Sequence, residues 1–263
     1  MKASRPRGFT LIELVVAIAI SAIVVVFASM FISAPLGAYE THSRRAVLVA
    51  DASGAWPRME TDLRRALPNS LRARRNGSFV VIEMLPVIEA ARYVPPLSAS
   101  LVASGISLTT AMPPYLSVNP GVDVYTLTGS TVPTATWSIG PTATTGEFQI
   151  TLAPVPAPAS SSPKARLFLV GRPVTYLCDE GQGTLRRYAN YTATSLQTAR
   201  DTPAELAGPG VSNDLVTQGL TSCDFQVPAV AANQVQTASV RLTTTRNGDS
   251  VTLLHISRGQ YTP

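Results

Sequence analysis

Glu13 stands one position ahead of Leu14, where a run of 26 residues without a single charge begins and extends to Tyr39. A carboxylate at the edge of a hydrocarbon region is expensive to desolvate and needs a partner. The preceding chain offers one. Gly8 closes a short basic segment, MKASRPRG, and a cut after it frees an α-amino group on Phe9, four residues before Glu13. Residues four apart meet across one helical turn. Amine and carboxylate, in one chain or between neighbouring copies, then neutralise each other where neither is tolerated alone. The alternative is a side chain that snorkels to the headgroups.

Other reactive residue types are sparse. Cys178 and Cys223 are the two cysteines, neither in a CxxC pair, and His42 and His255 are the two histidines. No metal-ligand spacing results. The alternative is two buried free thiols, but the N-terminus argues for an oxidising compartment, and there a Cys178–Cys223 disulfide is expected. Serines and threonines are plentiful but lack a nearby histidine base. His42 follows the apolar run and His255 lies in a strand-like segment, so they do not suggest one site. Asp179 and Glu180 fall in a turn, where solvation explains them. An enzyme is not expected, and neither is a cofactor or a metal. The basic cluster Arg64, Arg65, Arg72, Arg74 and Arg75 has no interleaved aromatics for stacking bases. It reads as a solvated surface rather than a nucleic-acid interface.

The elements that must position Glu13 follow from length and apolarity. At about 1.5 Å per residue, the 26-residue run spans roughly 39 Å of helix, more than the roughly 30 Å hydrocarbon core. Val15, Val16, Ile18, Ile23, Phe27 and Met30 point all round it, as in a membrane helix. The basic segment stays cytoplasmic under the positive-inside rule, leaving the rest outside the inner membrane. An ordinary secretory signal is cut after its apolar region; here the cut lies before it, and the helix is kept. Net charge supports this division. Lys2, Arg5 and Arg7 are three of the 21 basic residues, and without them 18 basic face 16 acidic, a net of +2 instead of +5.

Beyond the run, Ala52, Ala55, Trp56, Met59, Leu63, Ala66 and Leu67 recur at spacings of three and four and form one apolar face to lay on a sheet. Pro35 and Pro57 are expected to interrupt and kink this helix, and Pro68-Asn69 to end it. The period then changes to strands: 78–85 (SFVVIEML), 123–128 (DVYTLT), 147–152 (EFQITL), two within 165–177, and 184–188 (TLRRY) across the 179–183 turn. Segments 239–244 and 250–256 flank Asn247-Gly248, a strong hairpin signal. Composition marks 153–163 (APVPAPASSSP) as a loop. The 21 prolines and 17 glycines fit a turn-rich β body, and the 45% hydrophobic share excludes global disorder. The fold class is α+β, a long N-terminal helix packed on an antiparallel sheet.

The segment Gly8-Phe9-Thr10-Leu11-Ile12-Glu13-Leu14 resembles the class III signal of type IV prepilins and type II secretion pseudopilins. The resemblance implies the pilin-like fold, a prepilin peptidase that cuts between Gly8 and Phe9 and N-methylates Phe9, and a role for Glu13 in subunit registration. It divides the chain into a leader (1–8), a transmembrane and filament-core helix (9–38), a periplasmic amphipathic half (39–70) and a β-rich periplasmic domain (71–263). Three later blocks resemble the MshO-like minor subunits of the mannose-sensitive haemagglutinin (MSHA) type IV pilus. The first is Met59-Glu60-x-Asp62-Leu63-Arg64-Arg65-Ala66-Leu67-Pro68-Asn69-Ser70. The second is Ile82-Glu83-Met84-Leu85-Pro86-Val87 with Ala91-Arg92-Tyr93. The third is Pro173-Val174-Thr175-Tyr176-Leu177-Cys178-Asp179 with Gly183-Thr184-Leu185-x-Arg187-Tyr188. The implied partners are other pilin-like subunits, prepilin peptidase and the inner-membrane assembly platform, and the implied destination is a pilus filament. A minor pseudopilin and a pilus-borne adhesin are the competing readings. Residues 97–165 carry no part of the resemblance and are the natural place for a binding surface.

Overall fold

The computed structural model describes residues 9–107, 112–118, 120, 124–127, 131–133, 136–152, 162, 164–229 and 235–260, without the side chains at 32–38, 40 and 41. The expected leader with Gly8, the ends of the expected 123–128 strand and nearly all of the 153–163 loop lie outside the described residues. The chain divides into two units, Met1–Val47 and Leu48–Pro263.

The first unit is helical. Helix α1, Leu11–Ser53, has 43 residues, and its last turns from Leu48 belong to the second unit. Within it Leu11–Phe31 has a mean hydropathy of 2.9, with none of that stretch buried against the protein. Those 21 residues rise roughly 32 Å, enough to cross a hydrocarbon core by length and composition. Contrary to expectation, the helix runs through position 35. One proline removes one backbone bond, and the turns on either side carry the helix across it. The interruption comes at Gly54-Ala55 instead, and Pro57 falls in the first turn of α2 (Trp56–Arg64), where its missing N–H would be unsatisfied anyway.

The second unit continues with β1 (Arg72–Asn76), β2 (Phe79–Met84), β3 (Val87–Tyr93), β4 (Ser100–Ser104), β5 (Tyr115–Val118), β6 (Thr131–Pro133), β7 (Trp137–Pro141) and β8 (Glu147–Leu152). It is completed by β9 (Arg166–Val170), β10 (Val174–Asp179), β11 (Thr184–Ala189), the short helix α3 (Pro203–Leu206), β12 (Ser212–Gln218), β13 (Leu220–Gln226), β14 (Thr237–Arg246) and β15 (Asp249–Arg258). The layout is α+β with antiparallel pairing, as expected, but the strands form three sheets instead of one. Their orders are β1-β2-β10-β11-β12, β13-β14-β15 and β6-β5-β9-β3-β4-β8-β7.

β2 and β10 pair directly, from Met84 with Val174 to Phe79 with Asp179. The seven-stranded sheet is therefore an insert between two neighbouring strands of the five-stranded sheet. The chain leaves at Leu85-Pro86 and returns at Gly171, whose N–H donates to the Pro86 carbonyl at 2.8 Å. The insert takes in the whole of 97–165.

The apolar face expected on the helix is buried. Ala55, Met59, Leu63 and Ala66 pack with Val80, Ile82, Met84 and Tyr176 of the five-stranded sheet and Phe225, Val240 and Leu242 of the three-stranded one. Burying a side chain such as Met59 contributes about 1.5–3 kcal/mol. The helix stops at Arg64, short of the expected Pro68-Asn69. The next backbone groups bond to the sheet crossing instead: Leu67 N–H to the Leu85 carbonyl, and Val87 N–H to the Arg65 carbonyl, both at 2.7 Å. A second core fills one face of the insert, with Leu116, Val118, Trp137, Ile150, Leu167 and Leu169. Tyr115, Phe168 and Val170 alternate to the other face and meet Leu67 and Leu85 in a third.

Strands 147–152, 166–170, 174–179 and 184–189 fall where the period change placed them. In the Asn247-Gly248 hairpin the φ angles are 52° and 85°. Positive φ at both central residues matches the right-handed twist of the flanking strands. The expected strand at 123–128 is corrected: residues 124–127 form a turn, with Leu127 at φ 57°. Val124 and Tyr125 are buried there as turn residues of the third core, so β-rich composition alone misassigned them.

Candidate functional site

At the start of α1, Thr10 and Glu13 engage each other. The Glu13 carboxylate accepts from the Thr10 hydroxyl at 3.1 Å and from the Thr10 N–H at 3.3 Å, and the Glu13 N–H donates to the Thr10 hydroxyl oxygen at 3.3 Å. This is a reciprocal capping box, which satisfies helix-end donors and places a negative charge at the positive end of the helix dipole. The T-x-x-E spacing announces it, and Thr10 is the residue that reading Glu13 against Phe9 alone passes over. Phe9 is 79% exposed, and Leu11 and Ile12 are similarly open. An apolar surface of this size exposed on all sides calls for lipid or for the helices of other chains.

Cys178 and Cys223 are bonded, with Cα atoms 6.4 Å apart. Each is buried. Cys178 lies on β10 and Cys223 on β13, so the bond ties the five-stranded sheet to the three-stranded one across the first core. Its flanks are held by charge. The Glu180 carboxylate accepts from the Cys223 N–H at 2.9 Å and from Arg75 at 2.7 and 3.2 Å, while Arg75 also donates to the Cys223 carbonyl at 2.6 Å. The Arg75 hydrogen bond and the Cys223 N–H hold the Glu180 carboxyl below its ordinary range. In the same turn Gly183 has φ +63°, and a Cβ there would stand 2.8 Å from the Leu220 carbonyl oxygen.

Four of the five clustered arginines, Arg64, Arg65, Arg74 and Arg75, are exposed, as a solvated surface requires, and Arg72 is half-buried. Arg72 pairs with the fully buried Glu83 at 2.7 Å, Arg74 with Asp201 at 2.7 Å, and Arg75 with Glu180. Arg72 also donates to the Ser195 and Thr194 carbonyls and lies 3.6 Å over the Tyr125 ring. Tyr191 donates to the other Glu83 oxygen at 3.0 Å. Burial pushes the Glu83 carboxyl up, against the downward pull of Arg72. Asp62 on α2 accepts from Tyr176 at 2.8 Å and Arg187 at 2.7 Å, joining the helix to β10 and β11. These groups lock elements together. Nothing in sequence spacing pairs Arg72 with Glu83, because the pairing depends on the β1–β2 register. His42 is exposed on α1, and His255 stacks on Trp56 at 4.2 Å. Among the described residues no group of three or more His, Cys, Asp or Glu could hold a metal ion.

Residues 3–29 match the family model of the prokaryotic N-terminal methylation motif. No curated protein and no solved structure matches the chain. The motif is that of type IV pilin-like and pseudopilin proteins, a structural class rather than a catalytic one.

Proposed function

From the methylation motif as premise, we propose that this chain is a minor pilin-like subunit that primes or decorates a type IV pilus of the MSHA type. The observation that carries the reading is the match at residues 3–29 coinciding with an apolar helix, Leu11–Phe31, that the protein leaves unburied. In this reading prepilin peptidase removes residues 1–8, cutting between Gly8 and Phe9, and N-methylates Phe9. The helix over 9–38 holds the subunit in the inner membrane as a single pass, with 39–70 and the β-rich 71–263 in the periplasm. The assembly platform then draws it into the filament, where α1 packs against other pilin-like subunits and Glu13 meets a Phe9 amine. A disulfide under the first core fits an oxidising periplasm.

The MSHA assignment rests on the blocks around Met59, Ile82 and Pro173. They fall on α2 and on the β2–β10 pair that form the first core. A minor pseudopilin of type II secretion has the same membrane chemistry. The inserted seven-stranded sheet favours, as a second reading, a subunit that also displays a binding surface.

Processing is the direct test. Mass spectrometry of the mature protein is expected to find a chain that begins with methylated Phe9. Gly8→Lys is expected to leave an uncut precursor in the membrane, because a long charged side chain replaces the residue the peptidase must accommodate. A mature N-terminus elsewhere sinks the assignment. In a deletion strain, lost piliation supports assembly, retained pili with lost attachment support adhesion, and intact pili with failed secretion point to the pseudopilin.

A further inference from the structure

The two-residue turn Asn247-Gly248 makes Arg246 and Asp249 the closing pair of the β14–β15 hairpin. Such a turn closes on a hydrogen-bonded pair, and bonded and non-bonded pairs then alternate along the ladder. Val251, Leu253, His255 and Ser257 thus give their backbone groups to β14. Those of Ser250, Thr252, Leu254 and Ile256 point away from it, along the free edge of the three-stranded sheet. The side chains of these four and of Arg258 are exposed, Leu254 at 54% and Ile256 at 68%. The free run ends at Gln260, whose N–H donates to the Arg64 carbonyl at 2.9 Å. Open edges invite pairing, and sheets blunt them with charges, prolines, bulges or short strands. The other edge strands of the three sheets each carry such a device. β1 holds Arg72, Arg74 and Arg75, all in ion pairs. β12 and β13 bulge at Val216 and Thr221, which the pairing skips. β6 has three residues and ends on Pro133, and β7 ends on Pro141. β15 instead pairs over ten consecutive residues without a shift, holds no proline or lysine, and keeps its charges, Asp249 and Arg258, at its two ends.

We propose that β15 is a docking edge that accepts an extended segment of a different protein chain as a fourth, antiparallel strand. Main-chain hydrogen bonds to Ser250, Thr252, Leu254 and Ile256 hold the segment, and alternate side chains give it specificity. Opposed residues of antiparallel strands share a face, with Cβ atoms about 4.5–5.5 Å apart. The segment therefore sets two apolar side chains, two positions apart, against Leu254 and Ile256. A carboxylate two positions further on meets Arg258, which opposes Thr237 on its other side and has no ion pair among the described residues. Charge decides against a second copy as the occupant. On the exposed face β15 presents Ser250, Thr252, Leu254, Ile256 and Arg258, with no acidic residue among them. No antiparallel register of β15 on itself then opposes Arg258 to a carboxylate. The edge is read from the chain itself, so failed processing leaves it standing and failed docking leaves processing standing.

The test is fluorescence anisotropy of a labelled nine-residue peptide titrated with the full-length chain in detergent micelles at low ionic strength. The peptide carries glutamate first, valine third and fifth, and threonine elsewhere, to match Arg258, Ile256 and Leu254 in antiparallel order. Saturable binding is expected. Methylating the peptide nitrogens at the third, fifth and seventh positions removes the donors that face β15 and is expected to weaken binding at least tenfold. Lysine in place of the glutamate is expected to weaken it at least threefold, and Arg258→Glu to reverse that preference. Thr252→Pro deletes an outward N–H without touching the ladder to β14, and is expected to lose binding while retaining cooperative thermal unfolding. The methylated peptide keeps the test decisive if that variant does not fold. No saturable binding, or equal binding of the methylated peptide, overturns the proposal. So does sedimentation of the chain alone as a dimer that Leu254→Lys dissociates, because the edge then belongs to a second copy.

Discussion

Glu13 carries two duties that pull on the same oxygens. In the single chain its carboxylate caps α1 through Thr10. In the proposed filament it neutralises the Phe9 amine. Glu13→Val removes both, while raising the apolarity of the membrane segment. Cleavage and insertion are expected to persist and filament incorporation to fall, as read by immunoblotting sheared filaments. Thr10→Ala removes the cap alone, at about 1 kcal/mol of helix stability, and is expected to incorporate far better. Wild-type incorporation of Glu13→Val would discard the registration role. Glu180 makes a different prediction, in acid. Its folded pKa lies below the unfolded value of about 4.3. The unfolded chain thus binds the proton more readily, and the contribution is full above that value and lost as pH falls through the lower folded one. Arg75→Gln removes the main cause of the depression and should flatten this part of the stability profile, as measured by urea midpoints at pH 7 and pH 4. An unchanged slope would mean that the Arg75 bond is not what holds the carboxyl down.

Helix α2 shows how one element separates packing from charge. Met59 is fully buried between two sheets, whereas Arg58 at the preceding position reaches Asp214 with both side chains nearly half exposed. Met59→Ala is expected to destabilise the body by about 2–5 kcal/mol through lost contacts and a cavity. Arg58→Ala should change stability by no more than about 1 kcal/mol, since exposed ion pairs are screened and entropically costly. Denaturant unfolding of the two variants distinguishes the cases, and similar losses would contradict the packing assigned to α2. The 179–183 turn is a second constrained element. Gly183→Ala meets both a left-handed backbone and the Leu220 carbonyl, and is expected to cost about 1–3 kcal/mol. A wild-type melting curve for Gly183→Ala would show that the turn can shift away.

At the scale of the whole β body, the disulfide is the covalent tie between sheets. It closes a loop of sequence separation 45. Chain-entropy arithmetic gives about 4 kcal/mol for a loop of that size, a large share of a typical stability of about 5–15 kcal/mol. Cys178→Ser with Cys223→Ser is therefore expected to lower unfolding midpoints strongly. Hydrogen exchange should rise first in β13–β15, the sheet that the bond fastens, and less in the insert, which has its own core. Uniform loss of protection across all three sheets would show that the insert depends on the tie. In the proposed filament role, the bond would keep the five-stranded and three-stranded sheets joined while the subunit is drawn from the membrane.

Local chemistry was legible in the chain. Length and apolarity alone set α1 as able to span a membrane, spacing of three and four set the buried face of Ala55, Met59 and Leu63, and Asn247-Gly248 set the last hairpin. Each depends on residues within one or two turns of one another. Periodicity says which face is apolar but not which other face will cover it. The pairing of β2 with β10 around an inserted sheet, the partnership of Arg72 with Glu83 and the turn at 124–127 were decided only when distant segments met. The cysteines fall between the two cases. Their types and proposed compartment favoured the bond over two free thiols, but the 6.4 Å approach of Cys178 and Cys223 required two sheets to close over one core. Burial of apolar surface selects that closure, and it acts on the assembled faces rather than on any single stretch of sequence.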